Sequence, residues 1–576
     1  MKFIENCKNY KYANIILALV FAFTLFLQCC FFHWQAFHSI VISSLWKDPL
    51  YFIKFYGTKI SISVFIASFV LLFKRKSWII YFSTIISIWS IAELVYFRSN
   101  RIFFDAFSFT MIGNMDGFWD SVLIYIYASD LIIFLYTLIL IVAYLVLKNK
   151  NKNVFNGILG IILSISLNII SCIGLVEWKI NNIVSVNPLN KETISGKTGL
   201  EPNKEKYIRS FSTIHAFLYD FKEFILIPFG NDRYIMSNNE LEKTNEFIND
   251  TTIKETNSQS KLIIILVESF ETWSLSNDIT PNLCKFISKN NILYAIKVKT
   301  QTKGGNSADG QMIVNTGLLP IFKGAVCYKY PFNTFPSLAK IYNKSAAIIP
   351  GNLGIWNQKF MSDSYGIIDN YETPSTDRDI FLKLDSIYDK YNYIITLTIS
   401  SHSPFNSCLN QDVKTTPNMP ELMRNYLKCI NYMDENLAGF LHKIETDSTL
   451  KNSTIVITGD HVVFPNEIRN DFSNFCKTNK TSYNVNNIYT PLIIYSPNIK
   501  KKYIIEHEAL QMDVYTTILD VIDCKDYYWK GFGVSLLDST NLTNRPISEE
   551  DAFILSDKLI RANYFKEVED NLNVYK

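Results

Sequence analysis

The sequence has almost no charge imbalance: 56 Lys and Arg face 53 Asp and Glu, a formal net charge of +3 over 576 residues. A domain that coats nucleic acid carries a clear basic excess, so no nucleic-acid partner is expected. Glycine and proline are scarce, 21 and 17 residues, which excludes a collagenous or low-complexity chain. Only 10 residues are cysteine, and none of Cys284, Cys327, Cys408, Cys429, Cys476 and Cys524 stands in C-x-x-C spacing with another, which argues against a cysteine zinc cluster. Length alone admits roughly three to five domains. What the chain has in quantity is apolar residues, 48% of the total, and they crowd into roughly the first 180 positions.

Five stretches there are long and apolar enough to cross about 30 Å of hydrocarbon as helices: Ala13–Phe32, Gly57–Phe73, Trp78–Phe97, Tyr125–Leu147 and Val154–Val176. The first is not a cleavable signal, because four spans follow it and no small-residue cleavage site succeeds its apolar core. Helices of a soluble domain would show an amphipathic face, which these lack. Lys2, Lys8 and Lys11, then Lys74, Arg75 and Lys76, then Lys148, Lys150 and Lys152 all fall on one side if the amino terminus is cytoplasmic, where such residues collect. Five spans then place everything after about Val176 outside the cytoplasm, where disulfides are permitted but spacing cannot pair them. Lys59, Glu93 and Asp130 lie in or beside the spans, either as functional groups or as interfacial residues reaching water.

Residues 181–260 are polar, broken by turn formers, and read as a juxtamembrane helical connector in which Ile208–Ile225 has near-helical apolar spacing. From Lys261 to the end, short β-branched runs alternate with helical stretches such as Met423–His442. The runs are Leu262–Val267, Tyr393–Thr398, Thr454–Thr458 and Leu492–Tyr495. That pattern predicts an α/β fold around a mostly parallel sheet buried on both faces. In such folds chemistry collects beyond the carboxyl ends of the strands. There the sequence has Glu268-Ser269, Ser401-His402-Ser403, and Asp460-His461, an oxygen and nitrogen set suited to a divalent cation such as Mn²⁺ or Zn²⁺. Ser307, within a Gly- and Ser-containing stretch, is placed to open a helix whose N–H groups stabilise an anion; an ordinary loop is the plainer reading.

The series VESFETW (267–273), TPNL (280–283), GGNSADGQ (304–311), SSHSPF (400–405), TGDH (458–461) and QMDVYTTILDVI (511–522), behind five spans, resembles the lipoteichoic acid synthase family of membrane phosphoglycerol transferases, within the alkaline phosphatase and sulfatase superfamily. The resemblance implies a five-span bundle (1–180), the connector (181–260) and a sulfatase-like catalytic domain (261–576). It implies one divalent metal ion, Mn²⁺ first and Zn²⁺ or Mg²⁺ as alternatives, held by Glu268, Ser307, Asp460 and His461. Ser307 is then also the nucleophile, standing where the family usually has Thr, and His402 meets the substrate phosphate region, as general acid for the departing alcohol or in support of the acceptor. Trp356 and Gln358 fall in the family's substrate-binding stretch, although Gln358 replaces an Arg and with it a bidentate charged contact.

The expected activity is transfer of a phosphoglycerol-type head group from a membrane phospholipid to an envelope glycan or lipid at a bacterial cell membrane, through a phosphoester on Ser307. A phosphoethanolamine transferase, a sulfatase-like hydrolase and a membrane-anchored binding protein on a retired catalytic fold are the alternatives. Formylglycine sulfatases need Pro and Arg at fixed spacing after the modified residue, and Ala308-Asp309-Gly310-Gln311 follow Ser307 instead.

Overall fold

A computed structural model of the chain describes residues 12–37, 49–100, 103–104, 108, 122–147, 154–177, 208, 212–214, 234–249, 261–413, 416, 418–524, 526–538 and 545–574. It forms two compact units, Met1–Ala106 with Val122–Leu226, and Phe107–Ser121 with Ile227–Lys576. The lysine clusters before the first helix and at 148–152, and most of the 181–260 connector, lie outside the described residues.

The first unit contains α1 (Ala13–Phe37), α2 (Pro49–Leu71), α3 (Trp78–Asn100), α4 (Ile132–Leu147, entered through a 3₁₀ turn at Ala128–Leu131) and α5 (Val154–Glu177). Among the described residues, four stretches, Ala13–Phe37, Trp78–Ser99, Ala128–Leu147 and Val154–Ser171, are long and apolar enough to cross a membrane, while α2 contributes a shorter apolar helix, Phe55–Leu71. Large apolar side chains such as Leu19, Phe23, Ile85 and Leu163 point outward, whereas small and polar ones turn inward. Ser83 and Ser87 hydroxyls lie 2.7 and 3.0 Å from Thr137 Oγ1, and Gln28 Nε2 donates to Ser87 at 3.3 Å. Where every polar group must be satisfied inside the protein, such contacts join helices. Gly160 lets α5 approach α2 closely, because a Cβ there would stand 2.1 Å from Ser68 Oγ.

The three ionisable residues do not reach water as interfacial groups: Lys59, Glu93 and Asp130 are all buried. Asp130 takes a bidentate pair of hydrogen bonds from Arg98, at 2.6 and 2.9 Å, and a third from Tyr127 N at 2.8 Å. The Lys59 ammonium lies 3.4 Å from the Phe55 ring centroid.

The second unit is built on a nine-stranded sheet. Its strands are β1 (Leu262–Val267), β2 (Ile292–Lys299), β3 (Ser345–Pro350), β4 (Asp369–Thr373), β5 (Tyr393–Leu397), β6 (Thr454–Gly459), β7 (Thr490–Tyr495), β8 (Tyr503–Ile505) and β9 (Ala509–Leu510). The order is β4-β3-β5-β1-β6-β7-β2-β8, with β9 also on β2. The first five of that order are parallel, while β7 runs antiparallel to both β6 and β2. The Leu492–Tyr495 run therefore belongs to the sheet but not in the parallel sense.

The helices of this unit that matter below are α6 (Pro281–Ile287), α7 (Ser307–Thr316), α8 (Gln358–Ser364), α9 (Asp377–Ile387), α10 (Glu421–Thr446), α11 (Asn466–Asn479) and α12 (Met512–Val521). On α10, Met423, Tyr426, Leu427, Ile430, Met433, Leu437, Phe440, Leu441 and Ile444 recur at helical spacing and pack in one core with Ile263, Ile265 and Val267 of β1. The alternate residues Leu262, Ile264 and Leu266 are equally buried on the opposite face, so the strand is apolar throughout.

Candidate active site and metal centre

β5, β1 and β6 are neighbours that run the same way, so their carboxyl ends open on one edge of the sheet. Glu268 is the first residue beyond β1, Asp460 and His461 are the first two beyond β6, and His402 lies in the turns after β5. Pairing persists past the strands: Asp460 N donates to Val267 O at 3.2 Å and Thr398 N to Leu266 O at 2.9 Å. The three exits therefore hold a common register.

Ser307 reaches the same place as the first residue of α7, after Asn306, whose φ of 42° is unusual for a residue with a side chain. Its hydroxyl donates to Glu268 Oε2 at 3.1 Å and lies 3.3 Å from His461 Nε2. The close approach of α7 to the end of β6 requires Gly310, since a Cβ there would stand 2.5 Å from Asp460 O. The buried carboxylate of Asp309 shapes the preceding loop by accepting from Lys303 N and Gly305 N at 2.8 and 2.9 Å.

Ligand atoms of Glu268, Asp460 and His461 all lie within 4.8 Å of one another. Each carboxylate is anchored on one side: Asp460 Oδ1 accepts from Ser269 N at 2.8 Å and His461 N at 2.7 Å, and Glu268 Oε1 from Ser269 Oγ at 2.7 Å. His461 Nδ1–H donates to Val462 O at 3.2 Å, which turns Nε2 toward the cluster. Glu271 ties the two loops together, accepting from Val463 N at 2.9 Å and from the buried Arg469 of α11 at 2.5 Å.

The electrostatics show a cluster short of positive charge. Asp460 is pushed up to about 7, first by burial and then by the neighbouring charge of Glu268. Burial works against ionised Glu268 too, but the hydrogen bond and charge of His461, with the charge of His402, hold it down to about 2. His461, which burial would neutralise, is pushed up to about 10 by Asp460 and Glu268. Two buried carboxylates and one imidazole therefore compete for protons that a divalent cation replaces, and their oxygen and nitrogen donors fit such an ion.

Of the remaining candidates, Gln358 reaches α7 and His402 lies close enough for its charge to act on Glu268. His402 is half-buried, and its Nδ1–H donates to Ser403 O at 2.7 Å. Trp356 and Asn357 are consecutive residues with φ of 53° and 49°, and the Trp356 ring centroid lies 6.0 Å from that of Tyr328. Gln358 is buried at the start of α8 and donates to Gln311 of α7 at 2.9 Å. Asp309, Gln311 and Glu271 are structural supports that motif reading alone did not single out. The signal for Asp309 was a carboxylate two residues after the candidate nucleophile.

A model of the lipoteichoic acid synthase N-terminal domain matches residues 1–185, and a model of the sulfatase family matches residues 260–524. Lipoteichoic acid synthase-like YvgJ of Bacillus subtilis is 26% identical over 335 residues, 52% of this chain and 53% of its own. Lipoteichoic acid synthase 2 of the same organism is 25% identical over 301 residues, 47% of this chain and 46% of its own. The chain thus spans about half the length of the curated relatives it matches. Among solved structures, the lipooligosaccharide phosphoethanolamine transferase A of Neisseria meningitidis aligns over 89% of this chain and 95% of its own, with a TM-score of 0.52 at 12% identity, a likeness of fold. The lipoteichoic acid synthase LtaP of Listeria monocytogenes aligns over 59% of this chain and 98% of its own, with a TM-score of 0.44 at 16% identity.

Proposed function

Because the chain is a lipoteichoic acid synthase-like member of the alkaline phosphatase and sulfatase superfamily, we propose that it is a metal-dependent phosphotransferase moving a phosphoglycerol-type head group from a membrane phospholipid to an envelope glycan or lipid. The observation that carries this reading is the position of Ser307 Oγ, at the start of a helix and within 3.1 and 3.3 Å of Glu268 and His461. Glu268, Asp460, His461 and Ser307 are the residues to hold one divalent ion. Bound there, such an ion supplies Lewis-acid polarisation and a lowered pKa for an attached hydroxyl.

Ser307 reacts in its deprotonated form at the phosphorus of the lipid phosphodiester. A bond forms from Oγ to phosphorus, the bond from phosphorus to the diacylglycerol oxygen breaks, and the head group stays on Ser307 as a phosphoester. The leaving alkoxide needs a proton. His402, oriented by the hydrogen bond from its Nδ1–H to Ser403 O, supplies it. In the second half an acceptor hydroxyl gives its proton to His402, attacks phosphorus and releases Ser307. Trp356 and Gln358 bound the head-group side, where the neutral amide of Gln358, fixed by Gln311, offers dipoles rather than a permanent charge.

Residues 1–180 serve as the membrane anchor, 181–260 as the connector and 261–576 as the catalytic domain. The Lys and Arg clusters support a cytoplasmic amino terminus and a catalytic site outside the cytoplasm. ATP is not available there, which favours a lipid as the donor. The test is to incubate the purified full chain with head-group-labelled phosphatidylglycerol or phosphatidylethanolamine, then follow diacylglycerol release and label on the Ser307 peptide. Label from phosphatidylglycerol is expected. Label from phosphatidylethanolamine alone moves the reading to that head group, and label from neither overturns the transferase.

A further inference from the structure

Two cysteines of the larger unit meet beside the segment that carries His402. Cys408 lies in the turns after β5 and Cys429 sits on α10; both are buried in one apolar cluster. The Ser407 hydroxyl donates to Ser400 O at 2.6 Å and lies 3.5 Å from Cys408 Sγ and 3.7 Å from Cys429 Sγ. Both sulfurs are thus gathered around one hydroxyl. The neighbouring Cys408 thiol and burial both push the Cys429 thiol up. Cys408 is also the member with residual exposure, 7% against 0%. A nucleophilic thiol backed by a resolving one is the arrangement that thiol–disulfide exchange requires.

We propose that Cys408 and Cys429 are a site of reversible oxidation, closing to a disulfide on reaction with a low-molecular-weight disulfide. The Cys408 thiolate attacks one sulfur of the oxidant, the oxidant's S–S bond breaks, and its first thiol leaves with the proton that Cys408 gave up. Cys429 then attacks the Cys408 sulfur of the mixed disulfide, releasing the second thiol with the proton of Cys429. Two protein thiols are oxidised and one small disulfide is reduced to two thiols.

The bond ties the His402 segment to α10. That helix already braces the segment beyond β1: Tyr426 OH donates to Ser269 O at 2.9 Å and accepts from Glu271 N at 3.0 Å, three residues before Cys429. Closure therefore couples the segment bearing His402 to the helix that holds the residue after Glu268. The outward placement proposed above puts the pair in an oxidising compartment. The chemistry and its test are independent of that placement.

The purified full chain is treated with oxidised glutathione, unfolded in N-ethylmaleimide, digested and read by mass spectrometry. The expected result is a cross-link between the Cys408 and Cys429 peptides that dithiothreitol reverses and that Cys408→Ser and Cys429→Ser both lack. The oxidised wild type should unfold a few degrees above its own reduced form, a comparison that needs no variant to fold. N-ethylmaleimide on both cysteines after treatment, glutathione retained on Cys408 without a cross-link, or a bridge to another cysteine overturns the proposal. None of these readouts uses head-group transfer, so failure of the transferase reading and failure of this one are told apart.

Discussion

Ser307 Oγ and His461 Nε2 stand 3.3 Å apart although 154 residues separate them in the chain. One comes from a helix start and the other from a strand end, so their meeting is a property of the sheet edge. Both touch Glu268, which makes the three residues and Asp460 one chemical unit.

Replacing Ser307 by Ala removes the proposed nucleophile and one hydrogen bond to Glu268. Diacylglycerol release should fall by about 10³-fold or more, with a thermal midpoint close to wild type. Ser307→Thr keeps the hydroxyl and should retain measurable turnover. Unchanged release by the Ala variant would sink the nucleophile assignment.

Asp460→Ala takes away one of the donors clustered within 4.8 Å. Metal analysis of the purified variant should show loss of the divalent ion proposed for the wild type. Full retention would mean that the ligand set lies elsewhere.

Gly310→Ala puts a methyl group 2.5 Å from Asp460 O, and the next nearest atoms are backbone too, at 3.0 and 3.1 Å. Backbone cannot swing aside as a side chain does, so α7 must move off the end of β6. Overpacking of this kind costs about 1–3 kcal/mol, and metal content should fall along with the midpoint of denaturant unfolding. A variant with wild-type stability and metal would show that the close approach is not needed.

Asp377, at the start of α9, accepts from Ile399 N and Ser400 N at 2.8 and 2.9 Å, yet burial pushes its carboxyl up to about 6 from the model-peptide value of 3.8. A group raised on folding stabilises the protein fully below its unfolded value, and that contribution is lost as pH rises through the folded one. Stability should therefore decline between about pH 4 and pH 6, by at most about 3 kcal/mol from this group. Asp377→Asn should flatten that part of the profile in denaturant titrations; an unaltered slope would count against it.

Arg98 and Asp130 form a buried bidentate pair within the helical unit. Removing one partner strands a charge, at a cost of about 3–5 kcal/mol. Asp130→Leu should lower the thermal midpoint in detergent sharply, and the double variant Arg98→Met with Asp130→Leu should recover part of the loss. Equal damage in single and double variants would show that the pair is not the stabilising feature.

The β1, β5 and β6 strands were legible in the sequence because a strand buried on both faces reads as an uninterrupted apolar run. Reading past their ends found Glu268, His402, Asp460 and His461. β4, Asp-Asn-Tyr-Glu-Thr at the sheet edge, left no such mark, since an edge strand need not be apolar. The direction of β7 was equally hidden, because Leu-Ile-Ile-Tyr has the same pattern read either way. Lys59, Glu93 and Asp130 were located along the chain with two environments open, and burial removes the water-reaching one: spacing within one helix says nothing about the Arg98 that waits on another.

The sequence by itself determined the division into membrane helices and an α/β domain, because hydrophobic burial is proportional to apolar area and acts on local composition. It also determined which side chains sit at strand ends. Only the tertiary structure decided that those ends belong to adjacent strands, that α7 delivers Ser307 to them over the bare face of Gly310, and that Cys408 faces Cys429. Hydrogen bonds, ion pairs and thiol contacts act over a few ångströms, and distance along a chain carries no information at that scale.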